Sequence, residues 1–146
     1  MDWQHHYRCL EHMYHSAPIN NTLPSQLEVY DGGARITLTV GPHLWHSAGG
    51  LHGSLYFKGL DDAAFFAANA IEPVHFVLTA KFEVELLAIV SSSPLFAEGI
   101  VERREGRRIW ASSVLRSSDQ ELVARGNGLF VVSRTRLSAE LGYRTH

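Results

Sequence analysis

His46, Gly49, Gly50, His52, Gly53 and Ser54 crowd into nine residues, and Asp61 follows eight residues after Gly53. These residue types fit the hydrolysis of an activated acyl bond. Glycines where a loop enters a helix let the backbone come close to a ligand. The first turn of a helix offers unpaired N–H groups and a partial positive charge, which suit an oxyanion. Asp61 lies about two turns further on, in a segment that is otherwise almost wholly apolar. A carboxylate there is costly unless it is paired, hydrogen-bonded or functional. An oxyanion donor and a carboxylate base are the minimum set for acyl hydrolysis. Plainer roles stand beside these. Asp61 has Lys58 within reach, although Asp62, four residues after that lysine, is the better partner. His52 has a loop-bonding role open to it, His46 a surface-loop role, and Ser54 the role of helix N-cap.

The elements that must hold these residues are legible in the hydrophobic pattern. Trp3, Tyr7, Leu10 and Tyr14 recur at helical spacing and predict a short amphipathic helix, ended by Pro18 and two asparagines. Leu27 and Val29, then Ile36, Leu38 and Val40, alternate around Asp31-Gly32-Gly33, a hairpin. Residues 54–71 are alanine-rich and apolar nearly all round, so this helix must be buried on most faces. After Pro73 a long strand is predicted, with Phe76, Leu78, Ala80, Phe82, Val84 and Leu86 on one face and Thr79 mostly on the other. Three more strands follow at about 95–104, 108–117 and 121–133. Strands joined by short turns favour an antiparallel sheet, with the single apolar helix lying across it. The expected divisions are a helical segment at 1–20, one α+β domain at 21–134 and a loose polar tail at 135–146.

With those elements in place, His46 to Asn69 resembles the phenylacetyl-CoA-type branch of hotdog-fold acyl-CoA thioesterases. That pattern is Asn-x-x-Gly-x-x-His-Gly-Gly, followed nine residues after the His by an acid on the central helix. Gly49, His52, Gly53 and Asp61 match in place, while His46 stands where the pattern has Asn and Ser54 where it has its second Gly. Thr79 lies eighteen residues after Asp61, where the family often carries a Ser or Thr. The run AEGIVERREGRRIWASSVLRSSDQELVARGNGLF is similar to the family's last three strands. The resemblance implies a hotdog fold, an antiparallel sheet wrapped around one long central helix. It implies Asp61 as general base or nucleophile, the Gly53 N–H on the thioester carbonyl, and Thr79 holding the attacking water. His46, His52, Ser54 and Gly49 fall on the substrate side, and no metal or organic cofactor is implied. It also implies a site shared between two subunits, with Thr79 supplied by the partner of the chain that supplies Asp61. A homodimer follows, with homotetramers as a common further step.

Composition narrows the alternatives. A net charge of −2 gives no field for nucleic acid or an anionic membrane. No apolar run reaches the roughly 20 residues of a membrane helix. The first residues lack the basic and apolar regions of a signal peptide, and the one cysteine, Cys9, suits a reducing compartment, so a cytoplasmic protein is expected. His5, His6, His12 and His15 read as a solvated helix face without metal-ligand convergence. Arg103, Arg104, Arg107 and Arg108 read as a solvated hairpin, with contact to CoA phosphates as the functional reading. A non-catalytic hotdog module binding an acyl-thioester or fatty ligand is the competing function, motivated by His46 and Ser54. A hydratase is disfavoured because no His follows Asp61 until His75.

Overall fold

The alanine-rich segment forms the longer of two helices, and its small side chains let one sheet close around it. The computed structural model describes residues 1–146. The elements are α1 (Trp3–Ser16), β1 (Ser25–Tyr30), β2 (Gly33–Leu38), α2 (Gly53–Ala70), β3 (His75–Leu86), β4 (Leu95–Glu105), β5 (Arg108–Arg116) and β6 (Leu122–Arg136). All strands pair antiparallel in one sheet, ordered β1-β2-β4-β5-β6-β3. Helix α2 touches all six. Ala63, Ala64, Ala67 and Ala68 are fully buried. At the closest approach β4 carries Gly99, where a Cβ atom would overlap the Ala63 carbonyl. The Leu60 carbonyl accepts the Ser113 hydroxyl of β5 at 2.8 Å.

The far end of α2 is tied to β3 by buried polar groups. Asn69 Oδ1 accepts the Val77 N–H, and its amide nitrogen donates to the Glu72 and His75 carbonyls. Burial alone would raise the Glu72 pKa. Its bonds from the His75 and Val74 amides and from Arg104 outweigh that and hold it below the usual carboxylate value. Every buried side-chain polar atom has a partner, as folded interiors require.

Strand β3 departs from its predicted alternation. The pairing with β6 shifts register between Thr79 and Lys81, so Ala80 is an extra residue. Such a bulge swaps faces. Val77 is buried against α2, Thr79 reaches Asp61 on that helix, and beyond the bulge Phe82 packs on Phe57 of α2 and on Phe130. Leu78 is left 53% exposed, whereas alternation alone put it on the same face as Phe82.

The chain termini also differ from their predicted solvation. His6 is buried, with Nε2 donating to the Asn69 carbonyl at 2.9 Å and Nδ1 bonded to the Tyr143 hydroxyl at 2.6 Å. Burial lowers its pKa, which keeps the ring neutral. His12 bonds the Gly142 carbonyl, and His15 Nε2 accepts the Leu27 N–H. The histidines thus fasten α1 to β1 and to the folded-back tail. Cys9 is buried, which pushes its thiol pKa up as expected of an inert thiol. The arginines of the β4–β5 hairpin stay exposed, as read from the sequence, while Arg103 stacks over Trp110 at 3.7 Å, Arg104 pairs with Glu72 at 2.9 Å and Arg107 donates to the Val132 carbonyl.

The two sheet edges are treated differently. Along β1, Glu11 accepts the Val29 N–H and Arg8 donates to the Val29 carbonyl, so α1 covers that edge. Strand β3 pairs only with β6, and Leu78, Leu86, Leu87 and Ile89 are exposed along and just beyond it. Between Leu78 and Leu86 the strand exposes Lys81, Glu83 and Glu85, so this free edge, open to a partner strand, is mixed rather than apolar. No helix is long and apolar enough to cross a membrane.

Gly99→Ala is expected to destabilise the protein by about 1–3 kcal/mol through overpacking. The neighbouring Ile100→Ala, at an exposed position, is expected to stay within about 0.5 kcal/mol. Urea denaturation monitored by circular dichroism separates the two. Equal midpoints would contradict the close approach at Gly99.

Candidate active site

The loop before α2 is built by its own backbone. The His46 N–H donates to the Gly50 carbonyl at 2.8 Å, and the Gly49 N–H to the His46 carbonyl at 3.0 Å. Gly49 has φ +84°, a conformation that favours glycine, so the turn itself accounts for this residue. The His46 Nδ1 accepts the Ala48 N–H at 3.1 Å. With Nδ1 accepting, Nε2 is the ring nitrogen left to donate, as a side-chain amide can. His52 is the N-cap of α2: its Nδ1 accepts the Ser54 N–H at 3.1 Å and lies 2.7 Å from the Ser54 hydroxyl. Ser54 is therefore not the cap but the second residue of the helix, turned back onto His52.

Gly53 opens α2, and its N–H meets no acceptor within the chain. Its φ is not positive, and an added Cβ would make only ordinary contact with Leu86 at 3.5 Å. Neither conformation nor packing inside this chain therefore requires glycine there. A cavity of about 350 Å3 adjoins it, lined by His46, Tyr56, Leu86 and Ile89 among others. Tyr56 shapes that cavity by accepting the Val90 N–H and donating to the Ala88 carbonyl. In the sequence it was indistinguishable from a core aromatic.

Asp61 and Thr79 form a second centre. The Thr79 hydroxyl donates to Asp61 Oδ1 at 2.9 Å, leaving Oδ2 unpaired. Lys58 is taken by Asp62 at 2.6 Å and by Asn20 at 2.8 Å, so it forms no ion pair with Asp61 and only the field of its charge favours the ionised carboxylate. Burial pushes the Asp61 pKa up to about 6; the Thr79 bond pulls against this and the neighbouring Asp62 charge adds to it. A base with that affinity titrates close to neutral pH, which is what proton transfer to and from a reacting group needs. This carboxylate faces a cavity of about 280 Å3 walled by Phe65, Phe76 and Leu78 from α2 and β3, and by Tyr14 and Ile19 from the N-terminal segment.

Two features change the arrangement expected from the sequence. Thr79 meets Asp61 of its own chain, because the Ala80 bulge turns it toward α2; it was expected to reach Asp61 of the partner. Gly53 and Asp61, by contrast, are separated by eight helical residues, about 12 Å along the axis. Reacting groups must sit within roughly 3–3.5 Å of the same centre. Within one chain the Gly53 amide and the Asp61 carboxylate therefore cannot meet on one substrate carbon.

No family model and no curated protein matches this chain. Solved structures do. The E. coli PaaI protein from the phenylacetic acid degradation operon superposes with a TM-score of 0.81 at 17% identity, covering 91% of this chain and 99% of that one. A Shewanella oneidensis protein related to the thioesterase superfamily gives 0.82 at 19% identity, over 90% and 97%. A thioesterase family protein from Silicibacter pomeroyi gives 0.75 at 19% identity, over 86% and 99%. The chain has the hotdog fold of these structures.

Two measurements check the electrostatics. Thr79→Val removes the bond that lowers the Asp61 pKa, so carboxyl NMR should show Asp61 titrating above its parent value of about 6. An unchanged or lower midpoint would contradict the Thr79 contact. The second concerns stability. The folded pKa lies above the unfolded value of about 4. The favourable contribution is therefore complete below pH 4 and is lost as pH rises through 6. Asp61→Asn is expected to be more stable than the parent at pH 7, with the difference disappearing by pH 4. A parent equally stable or more stable at pH 7 would contradict the burial of this charge.

Proposed function

We propose that this chain is an acyl-CoA thioesterase whose active sites are completed between two copies. The observation that carries the reading is the pairing on one helix of an unpartnered glycine amide with a desolvated, threonine-bonded carboxylate. The fold shared with thioesterase-superfamily structures supports it. Asp61, ionised near neutral pH, takes a proton from water through Oδ2. The water attacks the thioester carbon while the Gly53 N–H stabilises the developing oxyanion. The C–S bond then breaks, and the CoA thiolate leaves with the proton held by Asp61. Thr79 keeps Oδ1 oriented and has lone pairs free to hold the water. His46 Nε2–H supplies a further donor beside Gly53. A hydroxyl at Ser54, turned onto His52, stays out of this path, so both departures from the family pattern are compatible with turnover.

A two-fold axis supplies the missing half. Phe57 lies midway between Gly53 and Asp61 in sequence and is 43% exposed. Antiparallel α2 helices crossing an axis there set each Gly53 against the partner's Asp61. Phe82, the β3 residue packed on Phe57, is midway between Leu78 and Leu86, each 53% exposed. Pairing of the free β3 edges about the same axis would bury both leucines, as an isologous interface requires. Further pairing into tetramers and a cytoplasmic setting are consistent with this reading, and the buried, unpaired Cys9 fits a reducing compartment.

The direct test is release of free CoA thiol from short, medium and aromatic acyl-CoAs. Asp61→Ala is expected to lower kcat by about 100-fold or more. Gly53→Pro deletes the N–H at the first helical position, where proline is tolerated, and is expected to cost about 100-fold with the fold intact. Either variant turning over every substrate at the parent rate would overturn its assigned role.

A further inference from the structure

The cavity beside Asp61 has a wall contributed by the N-terminal segment, and that wall is fastened. Asn20 donates to the Tyr14 carbonyl at 2.7 Å and accepts from Lys58 at 2.8 Å, and Lys58 in turn pairs with Asp62. The Tyr14 hydroxyl is spent on Ser25. Apart from the Asp61–Thr79 pair at its mouth, the polar groups around the cavity thus satisfy one another. A charged or hydrogen-bonding tail reaching past Asp61 and Thr79 would lose its water and find no free partner among Lys58, Asp62, Asn20 and Tyr14.

Its far end is defined as well. Met13, Ala17 and Phe76 line both this cavity and a second one of about 500 Å3 against the C-terminal tail, so they form the partition between the two. With about 30 Å3 for each atom-sized unit, 280 Å3 holds roughly nine heavy atoms. Ile19, 62% exposed, stands at the rim.

Resting on the thioesterase reading, we infer that this cavity receives an uncharged acyl chain of about eight or nine heavy atoms, and that Ala17 and Ile19 set its length. The N-terminal segment is then a specificity element. Both positions are at least partly exposed, so enlarging them leaves the core packing alone.

The test uses calorimetric titration of the full chain with the non-hydrolysable thioethers S-butyl-CoA and S-octyl-CoA, alongside CoA release from the matching thioesters. The parent is expected to bind S-octyl-CoA about tenfold or more tighter than S-butyl-CoA. Ala17→Leu and Ile19→Trp are each expected to abolish that preference while S-butyl-CoA binds as before. A parent without the preference, or variants that keep it, overturns the inference. If octanoyl-CoA is cleaved and the variants keep the parent preference, the length assignment fails and the hydrolytic reading stands. If the binding pattern appears with no CoA release from any acyl-CoA, the hydrolytic reading fails and the length assignment stands.

Discussion

Ala63 and Ala64 meet the sheet at Gly99, where not even a methyl group fits, and that closeness governs the rest of the molecule. A helix of small residues lets one sheet curl around it and touch it with every strand. The curl leaves the sheet two edges. One is closed by α1 through Glu11, Arg8 and His15. The other, β3, is left with unpaired backbone and exposed leucines. The same packing fixes where the chemistry lies, because α2 carries both Gly53 at its start and Asp61 two turns later.

The carboxylate and the amide are separated by helix geometry, and no side-chain motion alters that. About 12 Å of rigid helix lies between them. The distance is an obstacle within one chain and, in the proposed dimer, a match across a two-fold axis at Phe57. The free β3 edge borders both cavities, with Leu86 beside Gly53 and Thr79 on Asp61. In the proposed dimer, one interface would both cover the β3 edge and complete the site.

The fold was largely readable because its signals are local and repetitive. The apolar run at 54–71 reads as a buried helix, and the Asp31-Gly32, Glu105-Gly106 and Ser118-Asp119 turns space the strands. Three features were not readable, each for a physical reason. The Ala80 bulge leaves no mark in a period-two pattern, since alanine suits either face, so the side of the strand bearing Thr79 was misassigned. The burial of His6 depends on Tyr143, 137 residues away, and no local spacing encodes that contact. Ser54 was a reasonable cap by residue type, yet His52 is one position before the helix and accepts the bond. At the candidate site, the Gly53 to Asp61 spacing singled out the two residues, but their separation along α2 and the contact of Thr79 with Asp61 of its own chain came only from the helix rise and the bulge.

The claim that the halves come from different chains is tested most directly by mixing two inactive proteins. Asp61→Ala and Gly53→Pro subunits are combined under conditions that exchange subunits, and CoA release is followed. In a mixed dimer one site inherits both intact groups and the other neither. With random exchange half of the dimers are mixed, so activity should recover to about one quarter of the parent level. If Gly53 and Asp61 of the same chain served one site, every site in the mixture would lack one group. Activity that stays at the level of the separate variants despite verified exchange would contradict the account.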